Sequence, residues 1–148
     1  MLGPAVMPRP DWDYITRPRL AQSEPPPETM IYTTVKEKQN IRIVKLLADT
    51  IMFDNYEEIF NKIKQNITED YNFIVLDMGR VTFMDSLSLG MLVPLLLYTR
   101  RMGGNMAVVN LDENIRKLFR MLNLDRIIQV FGGEDEAVAA LLKEGGEF

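Results

Sequence analysis

Residues 72–78 read Asn-Phe-Ile-Val-Leu-Asp-Met, a short and almost continuous apolar run. A run of this kind is typical of a β-strand that is buried on both faces, as strands in the middle of a parallel sheet are. We therefore expect a central strand here, with the other elements of the domain arranged around it.

The segment before this strand predicts a hairpin and a helix. Residues 31–37 and 41–48 alternate or are β-branched, and the short segment 38–40 between them is typical of a tight turn, which indicates two antiparallel strands. Asp54 is a candidate N-cap, and the apolar residues after it have helical spacing: Ile59, Phe60, Ile63 and Ile67. This pattern predicts the first helix.

The segment after the central strand predicts three helices that alternate with two strands. An apolar stretch over 86–102 ends at Gly103-Gly104, a strong helix stop, and Pro94 should kink this second helix. The remaining predicted elements are strands over 106–110 and 127–131 and helices over 113–122 and 134–143, with Ile115, Leu118, Phe119 and Leu122 on one face of the third helix. The order predicts one α/β domain whose mixed sheet opens with an antiparallel hairpin, is otherwise largely parallel, and packs with about four helices.

The composition narrows the possible functions. A chain of 148 residues has room for one domain, and its 17 Lys and Arg against 21 Asp and Glu give a net charge of −4, which is unfavourable for nucleic-acid binding. The chain has neither cysteine nor histidine. Disulfides, zinc sites built on these residues and Ser-His-Asp catalysis are therefore excluded, and we expect a protein without enzymatic activity, metal or cofactor.

The N-terminal segment has a different composition from the rest of the chain. Seven of the eight prolines lie in residues 1–29, which predicts a Pro-rich tail ahead of a domain over 30–148. Residues 11–15 (Asp-Trp-Asp-Tyr-Ile) leave a second interpretation open, in which the tail docks on the domain or on a partner. No signal-peptide pattern is visible, and the longest apolar run, 91–98, is too short to span a membrane, so we expect a cytoplasmic protein.

The candidate functional residues lie in Met84-Asp85-Ser86-Leu87-Ser88-Leu89-Gly90, where two serine hydroxyls are located at the predicted start of a helix. An Asp-Ser pair in this position is usually a plain helix cap. The wider stretch, however, resembles the STAS-domain anti-sigma-factor antagonists, whose hallmark reads Met-Asp-Ser, then Ser or Thr, then Gly-Leu-Gly. Five of the seven positions agree, and the segments 101–110 and 115–125 resemble the Gly-Gly turn, the following strand and the third helix of that family.

The resemblance implies a regulator that switches between protein partners. Ser86 then corresponds to the phosphorylated serine and Asp85 to the acidic residue before it. The unphosphorylated protein would bind an anti-sigma factor with serine kinase activity through Met84, Asp85, Ser86, Leu87, Ser88 and Gly90, phosphorylation would release it, and a serine phosphatase would restore binding. We expect a monomer or a weak dimer.

Two departures from the family pattern leave an alternative open. Leu87 and Ser88 replace a small residue and a glycine, and Met52 stands where the family has an acid, which leaves Asp49 and Asp54 as candidate replacements. The alternative function is therefore a STAS scaffold that is never phosphorylated.

Three side chains of the motif carry predictions of their own. Ser88 is either a second phosphoacceptor or, as we favour, a hydroxyl bonded back to the helix backbone. Leu87 is expected to be an exposed apolar anchor. Five methionines are considered as a partner surface, and Met84 alone is assigned to it, whereas the other four are assigned to core packing: Met91, Met102, Met106 and Met121.

Overall fold

The computed structural model describes residues 32–146 and begins with the predicted hairpin. Strands β1 (Thr33–Lys38) and β2 (Ile41–Leu46) pair antiparallel, with Lys38 opposite Ile41. The two-residue turn between them has positive φ at Gln39 (53°) and Asn40 (70°). Two consecutive left-handed residues suit the right-handed twist of a hairpin, which explains why so short a turn suffices.

The hairpin continues into a five-stranded sheet. Strand β4 (Phe73–Asp77) pairs parallel with β2, β6 (Asn105–Val109) pairs parallel with β4, and β7 (Gln129–Phe131) closes the far edge, also parallel. The order β1-β2-β4-β6-β7 places β4 in the centre, and Ile74, Val75 and Leu76 are fully buried there. The predicted mixed α/β architecture is confirmed.

A second, very small sheet lies beside the main one. Strands β3 (Thr50–Ile51) and β5 (Phe83–Met84) pair parallel over two residues each, with Ile51 opposite Met84. Nothing in the sequence predicts it, because a two-residue strand is too short to show a periodic pattern. It brings the segment after β2 to the start of the Ser86 helix.

The helices cover the two faces of the main sheet unequally. They are α1 (Tyr56–Gln65), α2 (Ser86–Gly90), α3 (Leu92–Arg101), α4 (Glu113–Met121) and α5 (Glu134–Leu141), with a 3₁₀ turn at Leu124–Arg126 and a π-helical turn at Leu142–Gly146. The buried apolar residues of α1 to α4 belong to the larger core, whereas Ala137, Val138 and Leu141 of α5 pack in the smaller one. No helix within residues 32–146 has the length and apolar character to cross a membrane.

Several predicted boundaries were wrong. The N-cap of α1 is Asn55 rather than Asp54, and its side chain caps no helical N–H because its amide bonds the preceding turn, accepting from the N–H of Met52 and donating to the carbonyl of Thr50. The last predicted strand begins at Gln129, since the chain before it forms the 3₁₀ turn. Leu122 lies beyond the end of α4 and is 53% exposed.

The single helix predicted over 86–102 is two helices that meet at Met91. The N–H of Met91 bonds to the carbonyl of Ser88 three residues back, which closes α2, and α3 begins at Leu92. Pro94 lies in the first turn of α3 and cannot donate a hydrogen bond to the carbonyl of Gly90, so the distortion predicted from this proline takes the form of a break at Met91. The predicted tail, residues 1–29, lies outside the described residues.

Candidate functional site

The site lies where the small sheet leads into α2. Asp85 has an extended backbone (φ −86°, ψ 177°) directly after β5, and its N–H bonds to the carbonyl of Ile51 at 3.3 Å. Its side chain caps the helix, since Oδ1 accepts from the N–H of Ser88 at 2.9 Å. Ser86 is therefore the first residue of α2, as the sequence motif predicts.

The Asp85 carboxylate also bonds outside its own helix. Oδ2 accepts from the N–H of Phe53 at 2.9 Å, and Oδ1 lies 2.8 Å from the hydroxyl of Ser88. The hydrogen bond from the Ser88 N–H is the main cause that lowers the Asp85 pKa below its ordinary value, and the Ser88 hydroxyl and the Phe53 N–H add to it while partial desolvation opposes it. One carboxylate thus joins the 52–55 turn to the start of α2.

Ser88 is fully buried, and its hydroxyl serves the structure. Its Oγ lies 2.6 Å from the carbonyl oxygen of Ile51 and 3.0 Å from the carbonyl oxygen of Asp85, so one hydroxyl proton is shared among these acceptors and the Asp85 carboxylate. The bond back to the helix backbone agrees with the interpretation favoured from the sequence. In this conformation the hydroxyl has no contact with solvent.

Ser86 lies on the surface, next to an exposed apolar residue in the sequence. Ser86 and Gly90 are exposed, and Leu87 is 54% exposed. Two further aromatic rings lie on neighbouring segments: Phe53, whose N–H bonds to Asp85, is 67% exposed, and Phe83 of β5 is 49% exposed. Sequence reasoning missed both rings, because an isolated phenylalanine in a turn or at a strand start is normally assigned to the core.

The surface role predicted for Met84 is wrong. Met84 follows Phe83 on a strand whose successive side chains point to opposite faces, and its side chain is 2% exposed within the larger core. The contact with a partner predicted for Ser88 is wrong as well, because Ser88 is fully buried. Asp85 is half-buried, so the exposed residues of the motif are Ser86, Leu87 and Gly90. Met121, which was assigned to core packing, is instead 74% exposed at the end of α4.

None of the described side-chain hydrogen bonds or ion pairs joins Asp49 or Asp54, the two candidate replacement acids, to Ser86. Met52 is half-buried in the turn that Asn55 stabilises. The Asp49 carboxylate lies 3.9 Å from the Arg80 guanidinium, and the Asp49 backbone carbonyl accepts a hydrogen bond from the Thr82 hydroxyl. Asp54, which follows Phe53 in the sequence, is exposed. The carboxylate next to Ser86 in the sequence is that of Asp85, which is already hydrogen-bonded.

Comparison with known proteins settles the family. The sequence profile of the STAS domain matches residues 32–137. The chain belongs to the STAS domain family. The match includes β1 to β7 and the first half of α5, so all seven strands and the site lie inside it.

Two kinds of relative support this assignment. A Thermotoga neapolitana protein, provisionally named an anti-sigma factor antagonist, is 32% identical to this STAS chain over 83 residues, which are 56% of this chain and 67% of the relative. The crystal structure of a Thermotoga maritima protein with the same provisional name superposes with a TM-score of 0.64 at 25% identity, covering 74% of this chain and 93% of the other.

A more distant structure shares the fold. The Bacillus cell fate determinant SpoIIAA in its phosphorylated form superposes with a TM-score of 0.55 at 20% identity, covering 73% of this STAS chain and 97% of SpoIIAA. At this level of identity the similarity establishes the fold alone.

Proposed function

We propose that this STAS protein is an anti-sigma factor antagonist that binds an anti-sigma factor with serine kinase activity and is released when Ser86 is phosphorylated. The relatives named as antagonists support the general role. The observation that carries the finer assignment is the contrast between two serines in one helix, since Ser86 is exposed and Ser88 is fully buried. A kinase can reach only a hydroxyl that solvent can reach.

The proposed switch needs no change of fold. A phosphate on Ser86 would add about −1.5 to −2 charges to a surface whose nearest charge along the chain is the Asp85 carboxylate. The hydrogen bonds of Asp85 and Ser88 lie on the inner side of α2, so the modification would change the surface presented to a partner and leave these bonds in place. A serine phosphatase would return the protein to its binding state in the cytoplasm.

The test is phosphorylation by a purified serine-kinase anti-sigma factor from the same genome. Intact mass after incubation with ATP should increase by one phosphate, fragment spectra should place it on Ser86, and Ser86→Ala should abolish it while it keeps partner binding. Ser86→Asp should weaken binding at least tenfold, about 1.4 kcal/mol. Phosphate on Ser88, or full affinity of the Asp variant, would contradict the assignment.

A scaffold role remains the second candidate, because Leu87 places a bulky apolar side chain directly beside Ser86 and Met52 stands where the family has an acidic residue. A scaffold of this kind would bind its partner without being modified by any serine kinase. Partner binding together with an unchanged intact mass would therefore favour it over the switch.

A further inference from the structure

The end of α4 and the turn that follows it expose several apolar side chains. From Arg120 to Ile127, every residue except Leu124 is exposed to solvent. Three of the exposed side chains are large and apolar: Met121 at 74%, Leu122 at 53% and Ile127 at 43% exposure. Leu124 is buried in the larger core and anchors the segment. We call residues 120–127 the α4 turn.

The backbone of the α4 turn is held by hydrogen bonds. Asn123 ends the helix in a left-handed conformation (φ 59°), and the N–H groups of Ile127 and Ile128 both donate to the carbonyl of Leu124, at 3.1 and 2.9 Å. Arg100, in the last turn of α3, donates from Nη2 to the carbonyl of Ile127 at 3.3 Å. The apolar side chains are therefore presented to solvent by an ordered backbone.

Positive charge accompanies these apolar side chains. Residues 116–127 contain four basic residues and one acidic residue, in a chain whose net charge is −4: Arg116, Lys117, Arg120 and Arg126 against Asp125. Arg100 adds a fifth positive charge beside Ile127, and Glu144 adds a second acid, since Asn105 bonds both Arg100 and Glu144. The ion pairs within residues 32–146 involve none of these basic residues. The α4 turn therefore lies in a local excess of positive charge.

The α4 turn lies at the other end of α3 from Ser86. Helix α3 follows directly on α2, which begins at Ser86, and it has ten residues, a length of about 15 Å. Arg100, which bonds to the α4 turn, is in its last turn. A ligand bound to the α4 turn would therefore leave Ser86 accessible.

Three kinds of ligand have the negative charge that this surface would attract, and the apolar side chains favour a lipid membrane. Single-stranded nucleic acid is bound by stacking on exposed aromatic rings, and the one ring in residues 116–127, Phe119, is buried. A stable protein interface covers about 20–30 residues on each side, whereas the α4 turn exposes seven. A membrane needs only a few apolar side chains below the headgroups and basic residues beside them.

We propose that the α4 turn binds the surface of an anionic membrane. Met121, Leu122 and Ile127 insert between the lipid headgroups, and the basic residues lie at the level of the lipid phosphates. The attachment is peripheral and reversible, because each basic residue near an anionic surface raises the affinity only about fivefold. This inference goes beyond the proposed function and does not depend on phosphorylation of Ser86.

The negative net charge of the chain does not prevent this binding. Asp112 and Glu113, the acids at the start of α4, are eight or more residues from Met121, which is about 12 Å or more along the helix. The Debye length is about 10 Å at 0.1 M salt. Charges at that distance are therefore largely screened from the membrane, whereas the basic residues of the α4 turn would contact it.

Co-sedimentation of the full chain with lipid vesicles tests the binding. The wild-type chain should sediment with vesicles made of equal parts phosphatidylglycerol and phosphatidylcholine and should stay in solution with phosphatidylcholine alone. Raising the NaCl concentration from about 0.1 M to about 1 M should lower the affinity about fivefold or more, because the attraction is screened. No binding to the anionic vesicles, or equal binding to both kinds of vesicle, would overturn the proposal.

A pair of double variants tests the insertion of apolar side chains. Met121→Gln combined with Leu122→Gln should lower the affinity for the anionic vesicles about tenfold or more, because the apolar contact is lost. Phe53→Gln combined with Phe83→Gln is the matched control, since these two rings are exposed to a similar extent at the Ser86 end, and its affinity should stay within about twofold of wild type. Unchanged urea midpoints would show that both proteins fold. Equal affinities of the two double variants would exclude insertion of the α4 turn.

A second pair of double variants tests the basic residues. Arg120→Gln combined with Arg126→Gln should lower the affinity about tenfold or more. Lys45→Gln combined with Arg80→Gln removes the same charge from exposed positions outside the α4 turn and should change the affinity by less than about twofold. An equal loss in both pairs would mean that binding follows the net charge of the chain, and the assignment to the α4 turn would be wrong.

Two further measurements separate this inference from its alternatives. If the wild-type chain binds poly-glutamate but not the anionic vesicles, the α4 turn recognises an acidic protein segment and the membrane proposal fails. Ser86→Asp should bind the vesicles as wild type does, whether or not a kinase modifies Ser86, so failure of the proposed switch leaves this inference intact. A tenfold loss for Ser86→Asp, about 1.4 kcal/mol, would place the Ser86 end against the membrane and contradict the proposal.

Discussion

Replacing Ser88 with alanine would remove the hydroxyl that connects α2 to the small sheet. The hydroxyl is the link between α2 and Ile51 of β3, at 2.6 Å, and the residue is fully buried. Alanine has good helix propensity, so the backbone of α2 should not be disturbed by the substitution. The effect should therefore report the lost polar contacts.

The size of the effect follows from which groups lose a partner. Leaving a buried polar group without its hydrogen bond costs about 1–3 kcal/mol. The Ile51 carbonyl keeps a second, longer bond from the N–H of Asp85 at 3.3 Å, so its loss is only partial. We therefore expect Ser88→Ala to lower the free energy of unfolding by about 1–2 kcal/mol, the lower part of that range.

Urea denaturation followed by circular dichroism measures this change. The midpoint should decrease with an unchanged slope, which indicates altered stability without altered compactness. Ser86→Ala is the matched control: it removes the same atom two residues earlier at an exposed position and should stay within about 0.5 kcal/mol of wild type. Equal midpoints for the two variants would refute the structural role of the Ser88 hydroxyl.

Three further predictions concern acid sensitivity, the glycines and the tail. The Asp85 pKa is lower in the folded than in the unfolded state, so the contribution of its carboxylate to stability is complete above the unfolded pKa of about 3.9 and is lost as the pH falls towards the folded pKa. Asp85→Asn should therefore reduce the acid dependence of the urea midpoint between pH 6 and pH 3. Parallel curves for the two proteins would contradict this. Gly104→Ala should cost about 2 kcal/mol or more, because its Cβ would collide with the carbonyl of Asn72, whereas Gly90→Ala, with open space around the Cβ, should raise stability by about 0.5–1 kcal/mol in the same assay. Deleting residues 1–29 should leave the thermal midpoint unchanged, and a decrease of several degrees would mean that the tail packs on the domain.

Elements whose apolar residues repeat a regular spacing along the chain could be predicted from the sequence. The buried strand over 73–77, the hairpin and the amphipathic helix α4 each repeat a simple spacing, and the structure confirms them within a few residues. The placement of Ser86 at the first position of α2 was equally accessible, since Asp-Ser before an apolar helix is a local capping signal.

Features that depend on a contact between distant segments could not be predicted. The burial of Met84 and the position of Phe53 both follow from the pairing of β3 with β5, which joins segments 33 residues apart through two residues each. A distortion of the second helix was predicted from Pro94, but the full break at Met91 was not, because the sequence continues an apolar helical pattern through it.

The unequal covering of the sheet has a practical consequence for where the domain can be cut. Helix α5 is the single helix of the smaller core in residues 32–146, and it runs from Glu134 to Leu141, past residue 137, where the STAS match stops. A fragment trimmed to the matched residues would lose Val138 and Leu141 and leave Ile43, Val75 and the other apolar side chains of that sheet face in water. Fusions and exchanges between members of the family therefore need a junction after the π-helical turn Leu142–Gly146, because α5 and this turn together cover that face of the sheet among the residues described.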